Sequence, residues 1–102
     1  MAAYYTYMLH CADGTLYTGW TTDVTRRLKQ HNSGTGAKYT RNRGPVRLAG
    51  CWRFETRSEA MRFEIWIKRL PRHAKNRLLS PGEGAQPAVD GFAVVPVAFT
   101  AV

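Results

Sequence analysis

Two tyrosine-containing triplets near the start of the chain carry the side chains best suited to chemistry. They are Tyr5-Thr6-Tyr7 and Tyr17-Thr18-Gly19, and an Asp-Gly pair lies between them. The downstream residues of similar interest are Arg27, His31, Glu64 and Asn76. Phenols, a guanidinium, an imidazole and a carboxylate can together activate water, neutralise a charged phosphorane and assist a leaving oxygen. The sequence therefore predicts cleavage of a phosphodiester, provided that the fold brings these groups together.

Each of these residues also has an ordinary structural interpretation. Glu64 stands four residues before Lys68, a spacing typical of an ion pair on a helix surface. The same carboxylate would suffice as the single protein ligand of Mg²⁺. His31, taken alone, is typical of a solvent-exposed helix position, and tyrosines in strands commonly pack on a core. A tyrosine also needs a nearby cation or base to act as a base at neutral pH. The residue types leave both interpretations open.

Composition and charge narrow the class of protein. The chain has 102 residues, which is enough for one domain with a modest core. Its formal net charge is +8, and all fifteen Lys and Arg lie between Arg26 and Arg77. Only four acids fall within residues 23–79, so that stretch carries +11. A basic body of this kind predicts a polyanionic partner, and a nucleic acid is the expected one.

The cysteines and the apolar segments argue against other classes. Cys11 and Cys51 stand in no metal-binding spacing, so zinc is not expected, and they are consistent with reduced thiols in the cytosol. The first residues have no signal-peptide pattern, and no apolar run approaches the ~18 residues of a membrane span. We therefore expect a cytoplasmic protein with no membrane contact.

A β-hairpin must position the two tyrosines. Residues 4–11 and 15–21 are rich in aromatic and β-branched types and are predicted to be strands. A three-residue turn at 12–14 would put Tyr7 and Tyr17 on the same face of the hairpin. A two-residue turn would put them on opposite faces. We predict the three-residue turn, on which a shared site depends.

A helix must position the next two candidates. Asp23 suits the N-cap of a helix that runs to about residue 32. Arg27 and His31 are four residues apart and therefore share one face of that helix. Residues 36–45 follow as a basic loop.

The remaining elements complete the domain. Residues 46–54 are predicted to form a third strand. Ser58 suits the N-cap of a second helix that runs to about Leu70, and Pro71 suits the first turn of a third. Glu64 falls at the border of the second helix's apolar stripe. The stripe itself consists of Ala60, Phe63, Ile67 and Leu70.

The composition changes after Ser80. Residues 81–91 have the composition of a linker, and residues 92–102 are apolar but short and interrupted by Pro96. We expect residues 1–80 to form the functional domain and residues 81–102 to form a C-terminal tail, either mobile or added to the sheet as a strand.

The order and spacing of these residues resemble the GIY-YIG nuclease family. In that family a Gly-Ile-Tyr and a Tyr-Ile-Gly triplet lie on a hairpin, as residues 5–7 and 17–19 do here. An Arg and, four residues later, a His or Tyr follow on a helix, and a metal-binding Glu comes later. The resemblance covers residues 4–80 and is nearest to the small stand-alone bacterial proteins of the family. The departures are Tyr5 and Thr6 in place of Gly and Ile, and Thr18 in place of Ile.

The resemblance implies an α+β fold, with a small central antiparallel sheet of about three strands flanked by helices, and hydrolysis with one metal ion. Tyr17 would deprotonate water, with His31 receiving or relaying the proton, and Tyr7 would hold the water or the phosphate. Arg27 would stabilise the phosphorane charge, and Glu64 would hold Mg²⁺, or Mn²⁺ in its place. Asn76 matches an Asn that some members carry. The catalytic residues implied are thus Tyr7, Tyr17, Arg27, His31, Glu64 and Asn76.

Further residues are expected to bind the nucleic-acid backbone around this site. They are Lys38, Tyr39, Arg41, Arg43, Arg47 and Lys68. Binding through several such cations should weaken steeply with salt, and an aromatic ring such as that of Tyr39 can stack on an unpaired base.

The predicted function is a metal-dependent endonuclease acting on DNA or RNA, with DNA favoured and DNA repair as the expected setting. A body of this size has little surface for reading sequence, so we expect selection by substrate shape. Two alternatives stay open. One is a non-catalytic nucleic-acid-binding module that retains the nuclease scaffold. The other is a subunit of a larger complex, in which a protein partner supplies substrate targeting.

Overall fold

The structure is a computed structural model that describes residues 3–33 and 44–79, together with the backbone of residues 88–89, 92–93 and 95–96. The strands are β1 (Tyr4–His10), β2 (Leu16–Thr21), β3 (Arg47–Phe54), β4 (Ala88–Val89), β5 (Phe92–Ala93) and β6 (Val95–Pro96). The helices are α1 (Val24–Ser33), α2 (Arg57–Lys68) and α3 (Arg72–Leu79).

The main sheet has the strand order β2-β1-β3-β6, and every pairing in it is antiparallel. The α+β prediction is confirmed, since the three predicted strands form this sheet and helices flank it. β6 adds a two-residue strand beside β3, and β4 pairs with β5 separately. None of the helices in the described part of the chain has the length and apolar character that a membrane span requires.

The hairpin between β1 and β2 has the register that the three-residue turn requires. Leu9 pairs with Tyr17, and Tyr7 pairs with Gly19. Gly14 closes the turn with φ +86°, a left-handed conformation that glycine adopts at no steric cost. Because opposed residues share a face, Tyr7 and Tyr17 lie on the same side of the sheet.

The two faces of the sheet are covered by different helices. The first face, called the α1 face, carries a buried cluster against which Leu28 of α1 packs. That cluster consists of Tyr7, Leu9, Cys11 and Val46. The second face, called the α2 face, packs against α2, with Leu78 and Leu79 of α3 also in contact. Its buried cluster consists of Met8, Trp52, Phe54, Ala60, Phe63 and Ile67.

The helix ends agree with the sequence in one case and differ in another. At α1, Asp23 acts as predicted, with its Oδ1 accepting a hydrogen bond from the backbone N–H of Arg26 at 3.0 Å. At α2 the predicted cap, Ser58, is wrong. The cap is Thr56, whose hydroxyl accepts from the backbone N–H of Glu59 at 3.1 Å and donates to the Glu59 carboxylate at 2.9 Å. The Thr-x-x-Glu spacing of a capping box was the signal for this earlier start.

The last turn of α1 is tied to the start of β3 by one side chain. The Asn32 amide accepts from the backbone N–H of Val46 at 2.6 Å and donates to the Val46 carbonyl at 3.1 Å. This two-point contact holds α1 against the sheet beside Tyr7.

Candidate active site

A buried hydrogen bond between β1 and α1 forms the centre of the site. The hydroxyl of Tyr7 lies 2.8 Å from Nε2 of His31. Tyr7 is 2% exposed and His31 is 1% exposed, so the pair is shielded from bulk water. Two residues distant in sequence are thus joined through polar atoms, which is the kind of buried contact that holds side chains in one geometry.

Arg27 completes this polar group from the same helix face as His31. Its side chain lies close enough to Tyr7 to oppose the rise in the pKa of that phenol, and its Nη1 donates to Oε1 of Gln30 at 3.0 Å. Gln30, which the sequence reasoning missed, orients the guanidinium, and its position three residues after Arg27 was the signal.

Burial sets the protonation of the pair. Loss of solvent raises the pKa of Tyr7 to about 12, although the nearby Arg27 opposes the rise. Burial, and secondarily the charge of Arg27, lowers the pKa of His31 to about 4. Both groups are therefore neutral at pH 7.

Tyr17 supplies a second phenol, and this one is only half-buried. Its ring centroid lies 5.1 Å from that of His31 and 6.3 Å from that of Tyr7. The structure thus brings together both predicted tyrosines and the predicted histidine. Because Tyr17 keeps part of its surface in solvent, it is the phenol that an incoming substrate can reach.

Gly19 makes room for this arrangement. A Cβ built on Gly19 would lie 2.7 Å from the Tyr7 hydroxyl oxygen and 2.9 Å from the ring carbon that bears it. These separations are shorter than van der Waals contact, so any side chain here would push against the ring of Tyr7. The glycine of the second triplet is explained by close approach.

Glu64 contributes a carboxylate from α2. Its side chain is 16% exposed and forms an ion pair with Lys68 at 2.9 Å. The carboxylate also lies close enough to Tyr7 to contribute to the raised pKa of that phenol, as the smallest of several causes. The surface ion pair and the placement near the phenols, which the sequence left as alternatives, are therefore both present.

The donor set fits one kind of metal site. Among residues 3–33 and 44–79, no group of three or more His, Cys, Asp and Glu comes together as a metal cage. A single, partly exposed carboxylate fits Mg²⁺, which commonly keeps several waters and takes its other oxygens from substrate phosphate. It does not fit a structural zinc site, which needs four protein ligands.

The remaining predicted residues are dispersed. Asn76 is exposed on α3, where its Oδ1 accepts from Nε of Arg72 at 3.3 Å. No hydrogen bond among the described residues joins Asn76 to the phenols, His31 or Glu64. Arg47 is exposed at the start of β3. The predicted backbone-binding residues that lie outside the described residues are Lys38, Tyr39, Arg41 and Arg43.

One departure from the usual first triplet has a structural partner. Thr6, which stands where Ile is usual, is 0% exposed and donates from Oγ1 to the carbonyl of Ala60 at 2.7 Å. The hydroxyl is thus satisfied by α2, and the β-branched side chain still fills the α2 face. The substitution leaves the polar group on the other face untouched.

Comparison with known proteins agrees with this geometry. The family model described as the GIY-YIG catalytic domain matches residues 3–77, most of the chain and every residue of the polar group. The chain belongs to the GIY-YIG family. Membership places it in the GIY-YIG nuclease superfamily.

Curated proteins are similar to this chain over most of its length. The UPF0213 protein BH0048 of Halalkalibacterium halodurans is 56% identical over 77 residues, covering 76% of this chain and 82% of that protein. The UPF0213 protein H16_B0156 of Cupriavidus necator is 48% identical over 87 residues, covering 85% of this chain and 95% of that protein.

Two solution NMR structures are similar to this chain. That of the UPF0213 protein BH0048 from Bacillus halodurans has a TM-score of 0.53 and 54% identity, covering 80% of this chain and 87% of that one. That of the protein EF2693 from E. faecalis has a TM-score of 0.51 and 42% identity, covering 84% and 97%. The similarity therefore extends over nearly the full length of small stand-alone proteins.

Proposed function

We propose that this protein is a metal-dependent endonuclease that hydrolyses phosphodiester bonds in DNA and selects its substrate by shape. The observation that carries the proposal is the buried contact of Tyr7 with His31 and Arg27, beside the half-exposed Tyr17. A merely structural tyrosine would not need a buried imidazole and a guanidinium on one hydroxyl. Such a polar group costs desolvation and is retained where its chemistry is used.

The half-exposed phenol of Tyr17 takes the proton from the attacking water on its oxygen and passes its own hydroxyl proton to His31. His31 lies under it and is unprotonated at neutral pH, because its pKa is lowered to about 4. A phosphate that enters the site brings negative charge, which raises the pKa of a nearby imidazole. His31 is then able to hold a proton only while substrate is bound. Proton acceptance is thus coupled to substrate binding.

Arg27 stabilises the charge that develops on the phosphorane. Its guanidinium is held by Gln30 and lies beside Tyr7, so it is already ordered when the substrate arrives. Tyr7 remains a neutral hydrogen-bonding group, because its pKa is raised to about 12. Its role is to position Arg27 and His31 and to hold the water or the phosphate.

Glu64 is the residue that would hold Mg²⁺, or Mn²⁺ in its place. The ion, when bound, supplies positive charge to the leaving 3′ oxygen. Lys68 is the present partner of the Glu64 carboxylate. Binding of the ion therefore requires the Lys68 ammonium to move aside, where it is free to contact a substrate phosphate.

Shape selectivity follows from the size and charge of the domain. The formal charge of +8 attracts any nucleic-acid backbone, and contacts to phosphate carry no direct sequence information. Branched or partly unpaired DNA of the kind met in DNA repair is therefore the proposed substrate, in preference to RNA. A protein partner that delivers such DNA is compatible with so small a domain.

The test compares cleavage with binding. The purified protein is incubated with duplex, single-stranded, flap and junction DNA and with RNA, in magnesium, in manganese and in chelator. We expect metal-dependent cutting of one or more branched forms. Tyr17→Phe and Glu64→Gln should each reduce the rate about 100-fold or more and leave binding in chelator within a few-fold.

Glu55→Gln is the matched control, because Glu55 is an exposed acid outside the site. It should cut like the wild-type protein. If wild type and Glu64→Gln bind equally and neither cuts any substrate with either metal, the endonuclease proposal is wrong. The non-catalytic binding module then remains, and the Glu64–Lys68 ion pair is a surface pair.

A further inference from the structure

Two arginines and a histidine lie on the α2 face near the hairpin turn, across the sheet from the candidate active site. His10 and Arg47 are cross-strand partners in β1 and β3. Alternation along β1 puts His10 on the opposite face from Tyr7. Arg72, the first residue of α3, reaches the turn and donates from Nη2 to the carbonyl of Gly14 at 3.1 Å. We call these three residues, His10, Arg47 and Arg72, the His10 cluster.

The two arginines of the His10 cluster carry positive charge that the described residues do not neutralise. Both guanidinium groups act on His10, since burial first, then Arg47 and then Arg72 lower the pKa of that imidazole below its usual value. Within residues 3–33 and 44–79 neither arginine has an acidic partner. The acceptors of Arg72 are the neutral Gly14 carbonyl and the Asn76 amide oxygen. Like charges held together in this way favour the arrival of an anion.

The nearest acid in the turn is already engaged. Oδ1 of Asp13 accepts from the backbone N–H of Thr15 at 3.1 Å and from the Thr15 hydroxyl at 2.6 Å. Its carboxylate therefore shapes the turn.

One arginine of the His10 cluster is held by hydrogen bonds, and the other is exposed to solvent. Arg72 is fixed by two hydrogen bonds, which leaves its other N–H donors for a ligand. Arg47 is exposed, and a groove between the hairpin turn and residues 45–47 is lined by both His10 and Arg47. Guanidinium groups matched with an imidazole donor suit a phosphate, which accepts several hydrogen bonds at once.

We propose that the His10 cluster binds a backbone phosphate of a nucleic acid, at a site separate from the hydrolytic one. The two sites lie on opposite faces of one sheet. A nucleic acid that fills both must bend around the hairpin end or present two arms, one to each face. The phosphate site is inferred from the geometry of the His10 cluster alone. The inference that one substrate fills both sites rests on the proposed endonuclease function.

The test is a binding measurement that needs no cleavage. Fluorescence anisotropy with a labelled flap DNA is run in chelator on Glu64→Gln protein and on the same protein with Arg47→Gln added. Arg47 has no hydrogen bond or ion pair within the described residues, so the variant should fold normally. We expect affinity to fall about tenfold, as for the loss of a charge-assisted hydrogen bond. The slope of log affinity against log salt concentration should also become shallower by about one.

Arg62→Gln is the matched control for charge. Arg62 is exposed on α2 and is not among the charges that act on His10. The Arg62→Gln substitution removes the same unit charge as Arg47→Gln, and we expect less than a threefold change in the affinity for DNA. Equal losses in the Arg47→Gln and Arg62→Gln proteins would show a general charge effect and would overturn the proposed site.

A second readout follows the imidazole directly. An anion bound at the His10 cluster should raise the pKa of His10, measured from the pH dependence of its ring NMR signals with and without DNA. The rise should shrink in the Arg47→Gln protein. An unchanged His10 titration would contradict the proposal. If inorganic phosphate raises the pKa as strongly as DNA at equal phosphate concentration, the ligand is a small phosphate and the nucleic-acid assignment is wrong.

Failure of this site and failure of the proposed function give different results. If the protein cuts DNA and the Arg47→Gln variant binds like the Arg62→Gln variant, the endonuclease proposal holds and the second phosphate site is wrong. If the protein cuts nothing and the Arg47→Gln variant binds DNA weakly, the endonuclease proposal is wrong. The phosphate site then holds as part of a binding module.

Discussion

The two faces of strand β1 are equally buried but chemically different. On the α2 face, Met8 packs with Phe63 and Ile67, and all three are 0% exposed. On the α1 face, Tyr7 is buried almost as completely, but its hydroxyl is hydrogen-bonded to His31 and lies beside Arg27. Burial alone therefore does not distinguish core from site. The distinction is whether the buried atoms are polar and held by hydrogen bonds.

The difference has an energetic meaning. Apolar burial on the α2 face stabilises the fold in proportion to the area removed from water. The polar group on the α1 face returns little net stability, because its hydrogen bonds mainly replace bonds to water. Its benefit is a fixed geometry. Because side chains alternate along β1, one face of the strand contributes to stability and the other carries the polar side chains of the candidate site.

The largest expected effect is a loss of stability from the core of the α2 face. Phe63→Ala should lower the free energy of unfolding by about 3–5 kcal/mol, because it leaves a cavity among fully buried neighbours. Urea denaturation measures it. Ile65→Ala, on the same helix but 48% exposed, should stay within about 0.5 kcal/mol. A small loss at Phe63 would mean that the α2 face is not the main source of stability.

The next effect is a pH dependence that belongs to the α1 face. His31 has a pKa of about 4 in the folded protein against an ordinary value of 6.5, so the unfolded chain binds more protons between these values. Stability should fall as pH falls from about 6.5 to 4, by an amount approaching ~3 kcal/mol. His31→Gln should flatten this part of the profile. His73→Gln, which removes an exposed histidine, should leave it unchanged.

A smaller effect tests the space that Gly19 provides. Gly19→Ala forces a methyl group against the Tyr7 hydroxyl, so it should cost about 1–3 kcal/mol and displace the ring from His31. Loss of cleavage with retained folding is the expected pattern, checked by circular dichroism and the nuclease assay. Gly44→Ala is the control, since an added Cβ there meets nothing within 4 Å. Full cleavage by Gly19→Ala would show that Tyr7 tolerates displacement.

The smallest effect sharpens the contrast between the faces. Thr6→Val removes one hydroxyl from the α2 face, and the Ala60 carbonyl keeps its helical hydrogen bond, so we expect a cost of about 1 kcal/mol or less. Tyr7→Phe leaves Nε2 of His31 buried without its hydrogen-bond partner, and should cost about 1–3 kcal/mol. Equal costs, measured by urea denaturation, would mean that the hydrogen bond on the α1 face is no more important than that on the α2 face.

Local chemistry accounts for the elements that the sequence predicted well. The turn ending in Gly14 determines the hairpin register, because a three-residue loop with a left-handed third residue leaves one favoured pairing. The placement of Arg27 and His31 on one helix face follows from helical periodicity alone. The start of α2 was misjudged because Thr56 and Ser58 are both good caps, and only the reciprocal bond with Glu59 decides between them.

Long-range packing accounts for what the sequence did not show. Nothing in the residues around His31 indicates that it is 1% exposed, since that burial depends on α1 crossing the face that carries Tyr7. The need for glycine at position 19 has the same origin, because it depends on where a neighbouring strand places one hydroxyl. The His10 cluster is a further case, formed by residues from β1, β3 and α3.

The amino-acid sequence by itself determined the hairpin register, the shared helix face and the basic character of the body, because these depend on turn chemistry, periodicity and charge, and its resemblance to the GIY-YIG family implied the α+β class. The tertiary structure alone decided that Tyr7 and His31 form one buried pair with Arg27 and Glu64 at its border, and that a second cationic cluster lies behind it. Proximity across elements depends on how the helices pack on the sheet, and that packing is set by the whole core rather than by any one segment.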